Sequence, residues 1–498
     1  MITLPQLVLY VGIFALLMTI VVAQLKQVKS YPVSYLQNFA GGLFIFSGWV
    51  KAIDPLGTAY KMEQYFGEFE STFEGTWMSF LAPMFPALAE YAILFSVFMI
   101  VFEIVLGVML LMGARPKLTA WAFLLLVGFF TFLTGFTYLT GYVPQDVNFF
   151  EFSNWGPYVK TNMKVTDCGC FGDFLKLEPK VSFFKDVFLL VPSFIFVFMW
   201  NKMHQLSTTK VRNIAIIAST VGLTIYCLSN YMWDLPHTDF RPFNVGKDVA
   251  KTRQIEQESA GNVKLLAYNL TNKTTKEEVN LPYEQFLKEF KSYPKEEWEY
   301  EQIRSEPTVP ATKISDFAIS DIDENDVTED ILNDPNYSLM VVCYKFYYEV
   351  ERGTAMVNDT SFVVDTVMTV DAATGEEMVQ LVRSVDQVSQ REVSDNKYLF
   401  NEGYRQLFTE KVNPFVEAAE KSGMNVYGVV GGAGPDIIDD FRHATQSAYP
   451  FHTADDILLK TIIRSNPGVV LWKNGQIIDK WHISKLPSFG EVEKEILK

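Results

Sequence analysis

The sequence predicts an all-α membrane bundle of six transmembrane helices, followed by an α/β globule outside the bilayer. Three observations predict it. Six stretches of about 20 mostly apolar residues, the length that spans a hydrocarbon core, fall in the first half of the 498-residue chain. Lysine and arginine collect in alternate short loops between them. From Lys313 onward the apolar runs shorten to strand length and alternate with helix-like segments.

The six spans run from Leu4 to Gln24, Leu36 to Ile53, Pro86 to Met112, Leu118 to Tyr142, Phe183 to Trp200 and Val211 to Trp233. No basic region precedes the first, so it reads as a retained helix rather than a signal peptide. The second is short and carries Gly41, Gly42 and Gly48, residues that let helices approach closely in lipid. Basic residues mark the cytoplasmic side. They are Lys26 and Lys29 after the first span, Arg115 and Lys117 after the third, and Lys202, Lys210 and Arg212 after the fifth. The alternate loops are acidic or mixed, as at Glu63, Glu68, Glu70 and Glu74. This places both termini outside. Glu103 falls well inside the third span and Glu90 near its start. A carboxylate in lipid is costly and should face the bundle interior. Glu103 is a candidate proton contact, with a hydrogen-bonded packing role as the alternative.

Formal net charge is −16, with no basic patch to neutralise phosphates, so nucleic acid is not an expected partner. Four cysteines are too few for a disulfide-framed fold. Cys227 lies in an apolar helix and Cys343 in a predicted strand. Cys168 and Cys170 stand close together, in Asp167-Cys168-Gly169-Cys170-Phe171-Gly172-Asp173, between the fourth and fifth spans. Such a pair bridges only if its Cα atoms stay within about 7 Å, and the glycine between them admits unusual dihedrals. A strained small-ring disulfide is oxidising and labile. This makes Cys168 and Cys170 the candidate catalytic redox pair, exchanging electrons with something dissolved in lipid. Asp167 and Asp173 should raise the thiol pKa values, with Lys164 as the nearby cation to oppose them. A structural pair at the membrane rim is the alternative. Two thiols without a nearby histidine do not make a closed zinc site, so no metal is expected.

Beyond the spans, residues 234–311 read as an extended exit, a small hairpin within Val263 to Tyr283, and a charged linker from Tyr293 to Pro310. His237, near the membrane exit, is a candidate neighbour of the cysteine loop, with a simple interfacial role as the alternative. Lys51 and Asp54 are close enough to pair at the lipid boundary, where Asp54-Pro55-Leu56-Gly57 stops the second helix. In residues 312–498, Asp321 to Asp326 form an acidic turn. It lacks the glycine and glutamate of a calcium loop, and a solvated hairpin turn is expected. Tyr337 to Tyr344 and Asn425 to Val430 read as buried strands. Tyr404 to Lys421 and Ile457 to Ile463 read as helices, and Gly468 to Trp481 as a hairpin with an Asn474-Gly475 turn. Gly431-Gly432-Ala433-Gly434 lacks the Lys-Ser/Thr of a phosphate loop and reads as a turn.

Ser465-Asn466-Pro467-Gly468, followed by strand, turn, strand and helix, resembles the second half of a thioredoxin fold. The resemblance implies that Pro467 is cis and, with Asn466, forms a loop that meets a partner protein. It also implies a Cys-x-x-Cys near Tyr347 to Gly353. This sequence has none there, and a polar insertion spans residues 354–401. The domain therefore resembles a redox-inactive member that binds a partner.

The membrane half, residues 1–233, resembles the MauE-like branch of the DoxX family. The resemblance rests on Gly42 to Lys51, Asp54-Pro55-Leu56-Gly57, Tyr60-Lys61, Tyr65-Phe66, Asp167 to Asp173, Phe183, Lys185 and Asp186. The layout is similar to DoxX-family proteins of Bacteroidetes. It implies a bacterial inner-membrane protein with periplasmic N- and C-termini, acting in thiol–disulfide or quinone-linked redox chemistry or in maturation of a client protein. A quinone is the candidate cofactor, and the lipid bilayer and a periplasmic client or membrane complex are the candidate partners. A non-catalytic scaffold subunit of an envelope complex is the alternative.

Overall fold

The computed structural model describes residues 2–165, 167–370, 377–394 and 396–497. The chain divides into two compact units. The first joins Met1–Phe317 with Lys460–Leu486; the second joins Ala318–Leu459 with Pro487–Lys498.

The first unit begins with eight α-helices. They are α1 (Leu4–Gln24), α2 (Tyr31–Ile53), α3 (Pro55–Phe73), α4 (Met84–Glu90), α5 (Ala92–Met112), α6 (Pro116–Thr140), α7 (Pro179–Phe198) and α8 (Thr209–Leu228). A π-turn, Ser229–Trp233, extends α8. Among the described residues, five helices are long and apolar enough to cross a membrane: α1, α5, α6, α7, and α8 with its π-turn. The second apolar segment does form a helix, α2, but it falls outside that set. Ser34, Gln37, Asn38, Ser47 and Lys51 are buried along it. It packs against α1, α5, α7 and α8, so much of its surface meets protein, and Gln37, Asn38, Ser47 and Lys51 find hydrogen-bond partners there. Glu103 lies on α5 and is buried, whereas Glu90 ends the separate, shorter α4.

At one end of the bundle the Gln37 side chain donates to the Leu110 carbonyl at 2.7 Å and accepts from the His204 amide at 3.1 Å. The Leu206 amide donates to the Met112 carbonyl at 2.9 Å. The segments that follow α5 and α7 therefore meet there, beside the first turns of α2.

The stretch carrying Glu63, Glu68 and Glu70 is not a loop. It is α3, with Leu56, Ala59, Tyr65 and Phe69 buried at helical spacing. Asp54 caps it by accepting from the Gly57 amide at 3.2 Å, and Pro55 occupies its first turn. The Asp-Pro-Leu-Gly stretch thus ends one helix and starts the next. The acidic residues hid this helix because they occupy its other faces.

Helices α2 and α5 approach backbone to backbone. A Cβ on Gly107 would sit 2.8 Å from the Gly41 carbonyl oxygen, and one on Gly41 would sit 2.9 Å from that of Gly107. Gly107→Val should push the helices apart. We expect a loss of about 1–3 kcal/mol, the usual cost of forcing extra atoms into a filled interface, read as a lower unfolding temperature in detergent. An unchanged temperature would mean that the crossing tolerates a side chain.

After the bundle, strands β1 (Leu265–Asn272), β2 (Glu278–Pro282) and β3 (Trp298–Arg304) form an antiparallel sheet in the order β2-β1-β3. β3 replaces part of the expected linker. Its alternation of Trp298 and Tyr300 with glutamates places one face against Tyr268 and Phe286, which the charge of the segment obscured. The first unit is completed by the hairpin of Gly468–Lys473 and Gln476–His482, turning at Asn474 and Gly475 with positive φ at both.

In the second unit, Tyr337–Cys343, Asn425–Gly431 and Phe451–Ala454 are parallel strands, with Asn425–Gly431 central. Cys343 is buried at the end of the first strand. Within 354–401, Thr354–Val370 pairs with Glu377–Ser394 as a long antiparallel ribbon; residues 371–376 and 395 of that insertion lie outside the described residues. The Asp321 carboxylate accepts from the Asp323 and Asn325 amides at 2.9 and 2.8 Å, making the acidic segment a tight turn.

Candidate functional site

Cys168 and Cys170 line a cavity of about 80 Å³ inside the bundle, well above the roughly 10–15 Å³ that one water needs. Its wall draws on α2, α3, α5, α6, α7 and the cysteine loop. Met62, Met99, Ile100, Phe130 and Leu133 make much of the lining apolar. Phe129 also lines it and is 46% exposed on the outer surface of α6.

The cysteine loop is held from several directions. Ser47 on α2 donates to the Cys170 carbonyl at 2.8 Å. The Gly169 amide donates to Asp167 at 3.2 Å, and Lys61 on α3 pairs with the same carboxylate at 3.1 Å. Gly169 has φ of +61°, and a Cβ there would meet the Lys61 side chain at 3.3 Å. Both thiols are free and half-buried.

Besides Lys61 and Tyr65, two lysine–carboxylate pairs share the cavity with the thiols. Lys51 pairs with Glu103 at 2.5 Å, with side chains only 6% and 4% exposed. Lys185 pairs with Asp186 at 2.6 Å, and Thr134 donates to the other Asp186 oxygen at 3.0 Å. The two ammonium groups also face aromatic rings, Lys51 over Phe130 and Lys185 over Phe171. Each of these two lysines is matched by a carboxylate of the cavity wall, and Lys61 by Asp167 of the cysteine loop.

Burial pushes the Cys168 thiol up to about 12, and Cys170, Asp167 and Asp186 contribute to the rise. Burial also raises Cys170. Lys185 opposes that rise most, Asp186 supports it, and Lys51 opposes it further. The Ser182 hydroxyl lies near both thiols and makes no hydrogen bond of ordinary geometry among the described residues. Lys164, the cation expected to oppose Asp167 and Asp173, instead pairs with Glu68 at 3.5 Å. The cations that act on the Cys170 sulfur are Lys185 on α7, the helix after the loop, and Lys51 on α2.

The tertiary partners of Lys51 and Asp54 also correct the expected local pair. Lys51 turns inward to Glu103, while Asp54 takes Arg464. Arg464 Nε lies 3.0 and 2.9 Å from the two Asp54 oxygens, and its Nη2 lies 2.8 Å from one of them. The same Nη2 is 3.6 Å from Asp173, in the cysteine loop. Burial pushes the Asp54 carboxyl upward, but Arg464 and then Arg241 outweigh it and hold it below the ordinary carboxylate range. A second ion cluster joins Asp239, Arg241 and Lys480. Lys480 contacts Asp239 at 2.6 Å, and Arg241 contacts Asp239 at 2.7 Å and the Thr461 carbonyl at 3.2 Å.

The Asn466-Pro467 peptide bond is cis. Pro467 is buried and Asn466 half-buried. Ser465 Oγ donates to the Pro467 carbonyl at 2.6 Å and accepts from the Ile483 amide at 3.0 Å. His237 is hydrogen-bonded to Tyr226 at 2.9 Å, with Tyr226 stacked on Trp49, rather than joined to the cysteine loop. Among the described residues, no group of three or more His, Cys, Asp or Glu is arranged to hold a metal ion.

The structure therefore brings together Cys168, Cys170 and Glu103, and adds Lys51, Lys185 and Asp186. The rule that a buried carboxylate needs a cation could have found Lys51, four residues beyond Ser47 on the inward face of α2. Nothing local marks Arg464. No protein-family model, curated protein or solved structure matches the chain. Fold and site together define a class: a protein with membrane-length apolar helices that enclose a free thiol pair beside two buried ion pairs.

Proposed function

We propose that the chain is a membrane thiol–disulfide redox protein that passes electrons from its cysteine pair to a lipid-soluble acceptor of the quinone type. The observation that carries this reading is the single cavity containing Cys168, Cys170 and both lysine–carboxylate pairs. Its apolar lining and the exposed edge of Phe129 suit a ring that enters from the hydrocarbon. The ammonium groups of Lys51 and Lys185 suit its carbonyl oxygens. In the reaction two S–H bonds break and one S–S bond forms. Two electrons and two protons leave the pair, and the acceptor's two carbonyls become hydroxyls. Glu103 and Lys51 hold a proton at the cavity wall. The oxidised pair then takes two electrons and two protons from a client dithiol and returns to thiols.

The reading carries the membrane arrangement with it. The bundle is placed in a bacterial inner membrane as a MauE-like DoxX protein, with α2 as a sixth crossing and both termini in the periplasm. The carboxy-terminal region acts there as a thioredoxin-like module without Cys-x-x-Cys, holding the client near its cis-proline loop. One observation favours the other reading, a non-catalytic envelope subunit: burial raises both thiols, which slows exchange.

The test is to trap the redox state of the pair in cells by rapid acid quench and thiol alkylation, with quinone synthesis intact or blocked. We expect a mainly oxidised pair that becomes reduced when quinone is absent. A pair locked in one state under both conditions would favour the scaffold reading.

A further inference from the structure

We propose that Lys185 is a positioning residue that divides the work of the two cysteines: it holds Cys170 as the sulfur that leaves as thiolate, and so makes Cys168 the sulfur that the client attacks. This inference rests on the redox reading above and deepens it.

The geometry separates two sulfurs that lie only two residues apart. Both cysteines line the cavity with Lys185 and Lys51, but the Lys185 ammonium lies 5.6 Å from the ring centre of Phe171, the residue next to Cys170. Asp186 pairs with that ammonium, and Thr134 on α6 holds Asp186 by donating to its other oxygen. Cys168 instead adjoins Asp167, whose carboxylate already engages Lys61. The charged and titratable groups facing the loop are Lys51 from α2, Lys61 and Tyr65 from α3, Glu103 from α5, Lys185 and Asp186 from α7, and Arg464, which faces Asp173 at the end of the loop. Lys185 opposes the burial of Cys170 more than any other group does, while neighbouring carboxylates reinforce that of Cys168.

Leaving-group acidity controls which sulfur of a disulfide departs. A client thiolate attacks the Cys168 sulfur, the Cys168–Cys170 bond breaks, and its electron pair stays on Cys170 beside Lys185. The second client thiolate then attacks the client's own bridged sulfur. This releases Cys168, which takes up a proton, and the client has lost two electrons to the pair. In the opposite half-reaction, Cys170 is the sulfur that first carries charge toward the acceptor.

The experiment uses the full chain in detergent micelles, with per-cysteine readout by mass spectrometry. The reduced protein is alkylated with iodoacetamide in steps from pH 6 to 12. The pH midpoint, rather than the absolute rate, is compared, because access differs between the two sites. We expect a lower midpoint for Cys170 than for Cys168. Lys185→Met should raise the Cys170 midpoint by about one unit, a tenfold loss of thiolate at a fixed pH below it, with Cys168 little changed. Lys185→Arg should restore it. In a second arm, reduced glutathione added to the oxidised protein should be found on Cys168. A lower midpoint for Cys168 in the unmodified chain, or glutathione mainly on Cys170, overturns the proposal without any variant having to fold. The two readings fail separately. A pair that does not respond to quinone in cells yet keeps this asymmetry refutes only the redox reading. A pair that cycles without the asymmetry refutes only the division of labour.

Discussion

Arg464→Ala should destabilise the first unit by about 3–5 kcal/mol, the usual cost of breaking a buried ion pair by removing one partner. The guanidinium is 5% exposed and Asp54 15%. Its removal leaves the carboxylate buried and loosens two pieces of the cavity together. Asp54 is the cap of α3, which carries Lys61 and Tyr65. Asp173 belongs to the cysteine loop. Unfolding in detergent should shift to a markedly lower temperature, and protease should cut within Lys460–Leu486 in the variant before the parent. Arg464→Lys should recover only part of the loss, since an ammonium cannot reproduce the two-pronged contact. Acid should act in the same direction. Asp54 is held below its ordinary range, so its contribution is full above the ordinary carboxylate pKa and is lost as pH falls through the folded value. A variant within about 1 kcal/mol of the parent, the ceiling for an exposed pair, would show that the contact is incidental.

The Lys51–Glu103 pair should show a comparable single-site loss with a different double variant. Lys51→Met leaves Glu103 buried among apolar helices without its cation, and Glu103→Leu does the reverse. Each should cost about 3–5 kcal/mol. Combined, the two should cost much less than their sum, because two apolar side chains of similar size remove both charges at once. A double-mutant cycle on unfolding in detergent measures the difference. Additive losses would mean that the two groups do not depend on each other. The combined variant also separates stability from function. If it folds and its thiols are no longer oxidised by an added short-chain quinone, the pair serves the reaction. If oxidation is unchanged, the pair holds α2 to α5 and no more.

Much of the helical half was legible because bilayer thickness imposes a length, and length is visible in a linear pattern. The segment from Leu4 to Gln24 matches α1 end to end, and five of the six segments expected to cross form helices apolar enough to do so. The segment from Leu36 to Ile53 is a helix of mixed character, since buried polar groups such as Gln37 and Asn38 dilute its apolar composition. α3 was missed because glutamates on its other faces masked a buried stripe spaced at helical intervals. β3 was missed for the analogous reason in a strand. The Asn474-Gly475 turn was legible because its residue types match the positive dihedrals it requires.

The sequence by itself determined the membrane-length helices, the neighbouring thiols, the lone carboxylate on α5 and the Asn-Gly hairpin. Each depends on residues adjacent or periodic along the chain. Only the tertiary structure decided which charges meet. It paired Lys51 with Glu103 instead of Asp54, put Lys185 rather than Lys164 beside Cys170, and brought Arg464 across 410 positions to Asp54. Ion pairing in a buried site depends on distance in space and on the removal of water, and neither is written in local order.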